Sequence, residues 1–175
     1  NLAIRGAMEA SAKRTGIVTT VIEHPATAQP CAYLEHHGSA ISRIGVDGDG
    51  RAQLETAREA IGSATALVTI MHSNNETGVL QPVQEFAKLA HAVGALVHTD
   101  AAQSAGKVPL RVRELDVDLL SLAGHKLYAP KGVGALYVKR GTKLAPFALG
   151  AGHERGLVVG AEERDRHLLQ AGGEP

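Results

Sequence analysis

Short runs of consecutive apolar residues alternate along the chain with longer stretches in which apolar positions recur every three to four residues. Residues 17–22 are rich in β-branched side chains and read as a strand. Pro25 then opens a helix with apolar positions at Ala28, Cys31, Ala32 and Leu34, which Gly38 closes. Residues 40–46 form a second strand, Asp47-Gly48-Asp49-Gly50 a turn, and residues 52–61 a helix with Leu54, Ala57 and Ile61 on one face. Residues 66–71 are almost wholly apolar, the signature of a strand buried on both faces of a parallel sheet. Residues 81–93 read as a helix with Pro82 in its first turn and Gly94 just past its end. Strands over 95–99, 118–122 and 133–138 follow. Residues 1–4 fall within a helical pattern that has no start of its own.

Strands alternating with helices imply βαβ units, hence an α/β fold with a mostly parallel, doubly wound sheet. Ligands of such sheets sit beyond the carboxyl ends of the strands. That rule directs attention to Glu23-His24, residues 72–78, residues 100–103 and residues 123–126, all polar or small and all following apolar runs.

Composition narrows the classes. Apolar residues make up 44% of the 175 and charged residues 21%, which suits a globular chain rather than a disordered one. Lys plus Arg balance Asp plus Glu at 18 each, so no bulk field draws nucleic acid or an anionic membrane. Aromatics are only 3%, so the core must be built from Ala, Val, Leu and Ile. The apolar runs are too short for a membrane helix, and residues 1–4 lack the basic start of a signal peptide. The single cysteine, Cys31, excludes an intrachain disulfide and fits a reducing compartment; the cytoplasm is expected. Cys31 lies on the apolar face of its helix and reads as a buried, inert thiol. No Cys/His spacing fits a metal site, because His36 and His37 are adjacent and splay apart on a helix. Gly132 and Gly134 lack the rest of a dinucleotide fingerprint.

Two strand ends carry the chemistry. Asp100 follows Leu96-Val97-His98-Thr99, where a carboxylate needs a cationic partner or several donors. Lys126 follows Leu122-Ala123-Gly124-His125, where partial desolvation lowers an amine's pKa and favours imine formation with a carbonyl. Pyridoxal phosphate requires that pair, an imine-forming Lys and an Asp on its pyridinium nitrogen. Plainer readings stand beside it. Asp100 also suits the N-cap of a following helix, Lys126 a solvated surface, and His24 a strand-to-helix turn before Pro25. Asn75 and Gln103 suit a turn and a helix surface.

Further segments carry a resemblance. Asn1 to Ile4, Val21-Ile22-Glu23-His24-Pro25-Ala26, Met71-His72-Ser73-Asn74-Asn75-Glu76-Thr77-Gly78, His98-Thr99-Asp100-Ala101-Ala102-Gln103-Ser104, Gly124-His125-Lys126-Leu127-Tyr128-Ala129-Pro130-Lys131-Gly132 and Gly150-Ala151-Gly152-His153-Glu154-Arg155-Gly156 resemble, in order, the cysteine desulfurases of the class V aminotransferase family. The resemblance implies the large domain of fold-type I pyridoxal-phosphate transferases over residues 1–156, with 157–175 a divergent tail. It implies Lys126 as the imine-forming lysine, Asp100 on the pyridinium nitrogen, and Gln103 on the ring hydroxyl with Asn75 beside the same edge. It implies His24 stacked on the ring and moving protons, and His125 at the phosphate. It also implies a homodimer in which residues 150–160 reach the partner's cofactor, L-cysteine as substrate, and sulfur-acceptor scaffold proteins of iron–sulfur cluster assembly as partners.

Three positions depart from the family. Ala123 stands where a phosphate-holding Ser is usual, Gly160-Ala161-Glu162 where Gly-Thr-Glu is usual, and Val158 where Arg is common. By the same resemblance, a phosphate loop belongs before Asn1, and the persulfide-forming cysteine and the arginine for the substrate carboxylate belong after Pro175. The chain is therefore expected to be a fragment that lacks sulfur transfer by itself. Two rival expectations are selenocysteine lyase, which shares this core, and a remnant acting only as a binding scaffold.

Overall fold

A computed structural model describes residues 1–11 and 13–146. Helices are α1 (Leu2–Ala10), α2 (Pro25–His36), α3 (Leu54–Ala60), α4 (Val83–Ala92) and the single turn α5 (Val112–Leu115). Strands are β1 (Gly16–Thr20), β2 (Ala40–Ile44), β3 (Thr65–Met71), β4 (Leu96–Asp100), β5 (Leu119–Ala123) and β6 (Gly134–Val138). They form one sheet in the order β2-β1-β3-β4-β5-β6. The first five are parallel, and β6 returns antiparallel to β5. The expected doubly wound α/β sheet is the observed one, and its order reverses between β1 and β3.

Every residue of β3 is buried. Its alternate side chains enter two different cores, as helices on both faces require. Val68 and Ile70 pack with Phe86, Ala87 and Ala90 of α4. Leu67 packs on the opposite face with Ile4 and Met8 of α1 and Cys31 of α2. Strands must supply most of this core, because the helices are Ala-rich and leave little volume of their own.

Boundaries differ from the sequence reading by a residue or two, as fraying ends do. Two differences have a physical cause. The buried face of α2 is Thr27, Pro30 and Cys31 rather than the set containing Ala32, which is exposed. Pro30 sits inside the helix and is itself part of the face, so the apolar stripe is rotated from the one the Ala residues suggested. Pro82 is the N-cap of α4 rather than a first-turn residue. Gly94 does close α4, at φ +71°, a conformation that L side chains rarely adopt. Among the described residues no helix is long and apolar enough to cross a membrane.

Candidate functional site

The period-two alternation of the strands decides which side chains meet. Leu67 on β3, Leu96 on β4 and Leu119 on β5 all pack on the α1/α2 side. Residues two and four further along therefore share that side: Thr69 and Met71, His98 and Asp100, Ser121 and Ala123. Asp100 lies directly opposite Ser121 in the β4–β5 register. Beyond these carboxyl ends a cavity of about 320 Å³ opens. His24, Asn75, Asp100, Gln103, His125 and Lys126, the six residues singled out from the sequence, all line it.

Each is placed by local structure with its own cause. Asp100 ends β4 and its Oδ1 accepts from the Ala102 N–H at 2.9 Å, so it caps the turn after the strand. No helix follows here, so Asp100 is not the N-cap that the sequence also suggested but ties down a turn, while it borders the cavity. His24 is the N-cap of α2, its Nδ1 accepting from the Ala26 N–H at 3.1 Å. The plain reading of His24 as a strand-to-helix turn residue holds, and a neutral ring bonded in this way carries its proton on Nε2.

Asn75 is exposed on a loop that its neighbour Asn74 ties down. Asn74 Oδ1 accepts from the Glu76 N–H, the Thr77 N–H and the Thr77 hydroxyl at 3.0, 2.9 and 3.2 Å. Gln103 Oε1 accepts from Lys107 Nζ at 3.2 Å, which leaves its amide donors for the cavity. His125 and Lys126 lie on a 3-10 turn, Gly124–Lys126, directly after β5. Gly124 is obligatory there: a Cβ would stand 2.7 Å from the Val133 carbonyl oxygen and 3.2 Å from Ala129 Cβ. Two residues after Lys126, Tyr128 is fully exposed and holds φ at +62°, so the segment bearing the lysine is strained.

The sequence reading gave no role to His98, which lines the cavity, or to Glu23, which does not line it. His98 is buried beneath the cavity, its Nδ1 2.8 Å from Thr69 Oγ1 and its Nε2 2.8 Å from Ser121 Oγ. Burial lowers its pKa to about 3, so the ring is neutral at any ordinary pH. The signal that finds it is its position two residues before Asp100 on a strand. Glu23 joins the strands where the sheet order reverses. Its Oε1 accepts from the Thr20 hydroxyl at 2.6 Å and from the Met71 N–H at 2.9 Å, while among the described residues Oε2 is enclosed without a partner. Burial pushes this carboxyl up to about 7. The thiol of Cys31 is likewise pushed up to about 11 by burial, as an inert core cysteine should be. Val158, Ala161 and the rest of residues 150–175 lie outside the described residues.

A family model for class-V aminotransferases matches residues 1–168. The chain belongs to that family. Within it, this class-V chain is 49% identical over 163 residues to a cysteine desulfurase of Gluconacetobacter diazotrophicus, covering 93% of this chain and 41% of the relative. It is 44% identical over 160 residues to the cysteine desulfurase NifS of Azotobacter vinelandii, covering 91% and 40%. Among solved structures, a NifS-like protein matches with a TM-score of 0.85 at 35% identity, over 92% of this chain and 45% of that one. A structure of SspA in complex with cysteine matches with a TM-score of 0.85 at 38% identity, over 93% and 48%. The class-V chain thus spans less than half the length of these relatives.

Proposed function

We propose that this chain is the pyridoxal-phosphate-binding core of a cysteine desulfurase, whose whole form takes sulfur from L-cysteine, leaving alanine and a persulfide. The observation that carries the reading is convergence: six side chains from four segments line one cavity, with the carboxylate at the end of β4 and the amine just past the end of the adjacent β5. The cysteine complex of the related SspA supports cysteine as the substrate class.

The donor set fits the cofactor. Asp100 offers Oδ2 to a protonated ring nitrogen, because Oδ1 is already occupied by the Ala102 N–H. Lys126 presents a primary amine to an aldehyde; among the described residues its Nζ has no hydrogen bond or ion pair to break first. Gln103 would offer its remaining amide donors to the ring hydroxyl, and Asn75 would lie beside the same edge. His24 offers an imidazole face and an Nε2 proton at the rim, and His125 a donor for the phosphate. Ala123 contributes only a methyl group, so the phosphate would be held by fewer side chains here than in the family's usual pattern. When bound, pyridoxal phosphate supplies an electron sink for a substrate carbanion. His24 would be the residue to carry a proton at that carbon, its Nδ1 being held by the Ala26 N–H and its Nε2 left at the rim.

In this reading residues 1–156 form the cofactor core, and 157–175 a divergent tail. The whole protein is a cytoplasmic homodimer that hands sulfur to acceptor proteins of iron–sulfur cluster assembly. The test is attachment of the cofactor. Pyridoxal phosphate is added to the purified chain, the visible absorbance recorded, and the product fixed with borohydride and mapped by peptide mass. The expected label is on Lys126, and it disappears in Lys126→Ala. Equal labelling of other lysines, or an unchanged band in that variant, overturns the reading.

A further inference from the structure

Thr69, His98 and Ser121 form a row of side chains across three neighbouring strands, β3, β4 and β5, directly under the cavity. Thr69 is fully buried, and among the described residues its hydroxyl has one partner, His98 Nδ1. Were Nδ1 to carry the proton, it would donate to Thr69 Oγ1, and the Thr69 hydroxyl proton would be buried with nothing to accept it. An unpaired buried donor of this kind costs on the order of ten-fold in population. The opposite arrangement leaves no orphan. Thr69 donates to Nδ1, Nε2–H donates to Ser121 Oγ, and the Ser121 hydroxyl is left with its own proton to give. Burial keeps the ring from taking a second proton, so the row does not reverse by charging.

Ser121 and His98 both border the cavity. We infer that His98 is a positioning residue locked as the Nε2–H tautomer, and that it leaves the Ser121 hydroxyl proton free to be donated into the cavity floor beside Asp100. The floor then carries an acceptor, the Asp100 carboxylate, next to a donor, the Ser121 hydroxyl. A bound molecule that presents a lone pair or a π face can take the Ser121 proton there. The direction of the donor follows from the fold alone. Its action on pyridoxal phosphate rests on the proposed function.

The test has two arms. The 175-residue chain is labelled with 15N at histidine, and long-range 1H–15N spectra are recorded at pH 7 without cofactor. His98 is assigned by the signal lost in His98→Asn. The expected pattern is a pyrrole-type Nε2 and a pyridine-type Nδ1. The reverse pattern, an averaged one, or a doubly protonated ring overturns the inference, whatever the cofactor does. Pyridoxal phosphate is then added. The Nε2 resonance is expected to shift in the wild type, and Ser121→Ala is expected to weaken cofactor binding about ten-fold. Attachment at Lys126 with no shift at His98 and unchanged affinity in Ser121→Ala overturns the cavity-facing role but not the proposed function. Failure of attachment in the wild type defeats the proposed function, and the tautomer then decides the inference by itself.

Discussion

Glu23 makes stability depend on pH in an unusual direction for a carboxyl group. Its folded pKa of about 7 lies above the ordinary value of 4.5. Between those values the folded chain therefore binds more protons than the unfolded one. Stability is then greatest below pH 4.5 as far as this group is concerned, and falls as pH rises through 7. The full cost is roughly 3 kcal/mol. Glu23→Gln keeps an oxygen for the Thr20 hydroxyl and the Met71 N–H but cannot ionise. Urea midpoints measured from pH 5 to 8 should decline in the wild type and be flatter in the variant; equal slopes would dismiss the idea. Cys31 gives a second expectation at this scale. With its thiol near 11, alkylation of the folded chain at pH 8 should run at least ~100-fold slower than in the denatured chain, followed as thiol loss over time. Comparable rates would mean that the thiol is not sequestered.

At the scale of elements, the β5–3-10 connection does more than join two segments. It turns the chain tightly enough to bring His125 and Lys126 back over the strand ends, with Gly124 N–H donating to Val133 O at 2.9 Å and Leu127 N–H to Gly124 O at 2.8 Å. Gly124→Ala should cost about 1–3 kcal/mol by forcing Val133 and Ala129 apart. It should also weaken cofactor attachment at Lys126 about ten-fold, read from the visible band against cofactor concentration. Much of this region was legible in the sequence: apolar runs of five or six residues ending in Asp100 and Ala123 announce parallel strands, and their ends announce a site. What was hidden depends on neighbours across strands. Nothing local to His98 says that Thr69 and Ser121 flank it, because register is a property of three strands at once. The buried face of α2 was misjudged for a related reason. Ala and Pro carry little hydropathy contrast, so the tertiary contact of Pro30 outweighed the spacing of Ala28 and Ala32.

For the molecule as a whole, the sheet carries the packing and the helices mainly cover it. Phe86 on α4 is the main exception, a fully buried ring against Val68, Ile70 and Val97 in a chain with two Phe residues altogether. With so few aromatics, no other side chain can fill the volume it leaves. Phe86→Ala should therefore destabilise by about 3–5 kcal/mol, seen as a lowered urea midpoint with an unchanged slope. A loss below ~1 kcal/mol would show that α4 can settle closer to the sheet.

The two oxygens of Asp100 have a bearing on how any mutational survey of this protein must be interpreted. Because one of them secures the Ala102 amide, truncation to alanine removes a structural fastening together with the proposed cofactor contact, and a dead variant would be ambiguous. Asparagine retains a carbonyl for Ala102 while abolishing the negative charge. A thermal melt alongside a binding curve for both replacements would thus apportion damage between architecture and recognition, with the asparagine version keeping its melting temperature and forfeiting only its grip on a cationic ring.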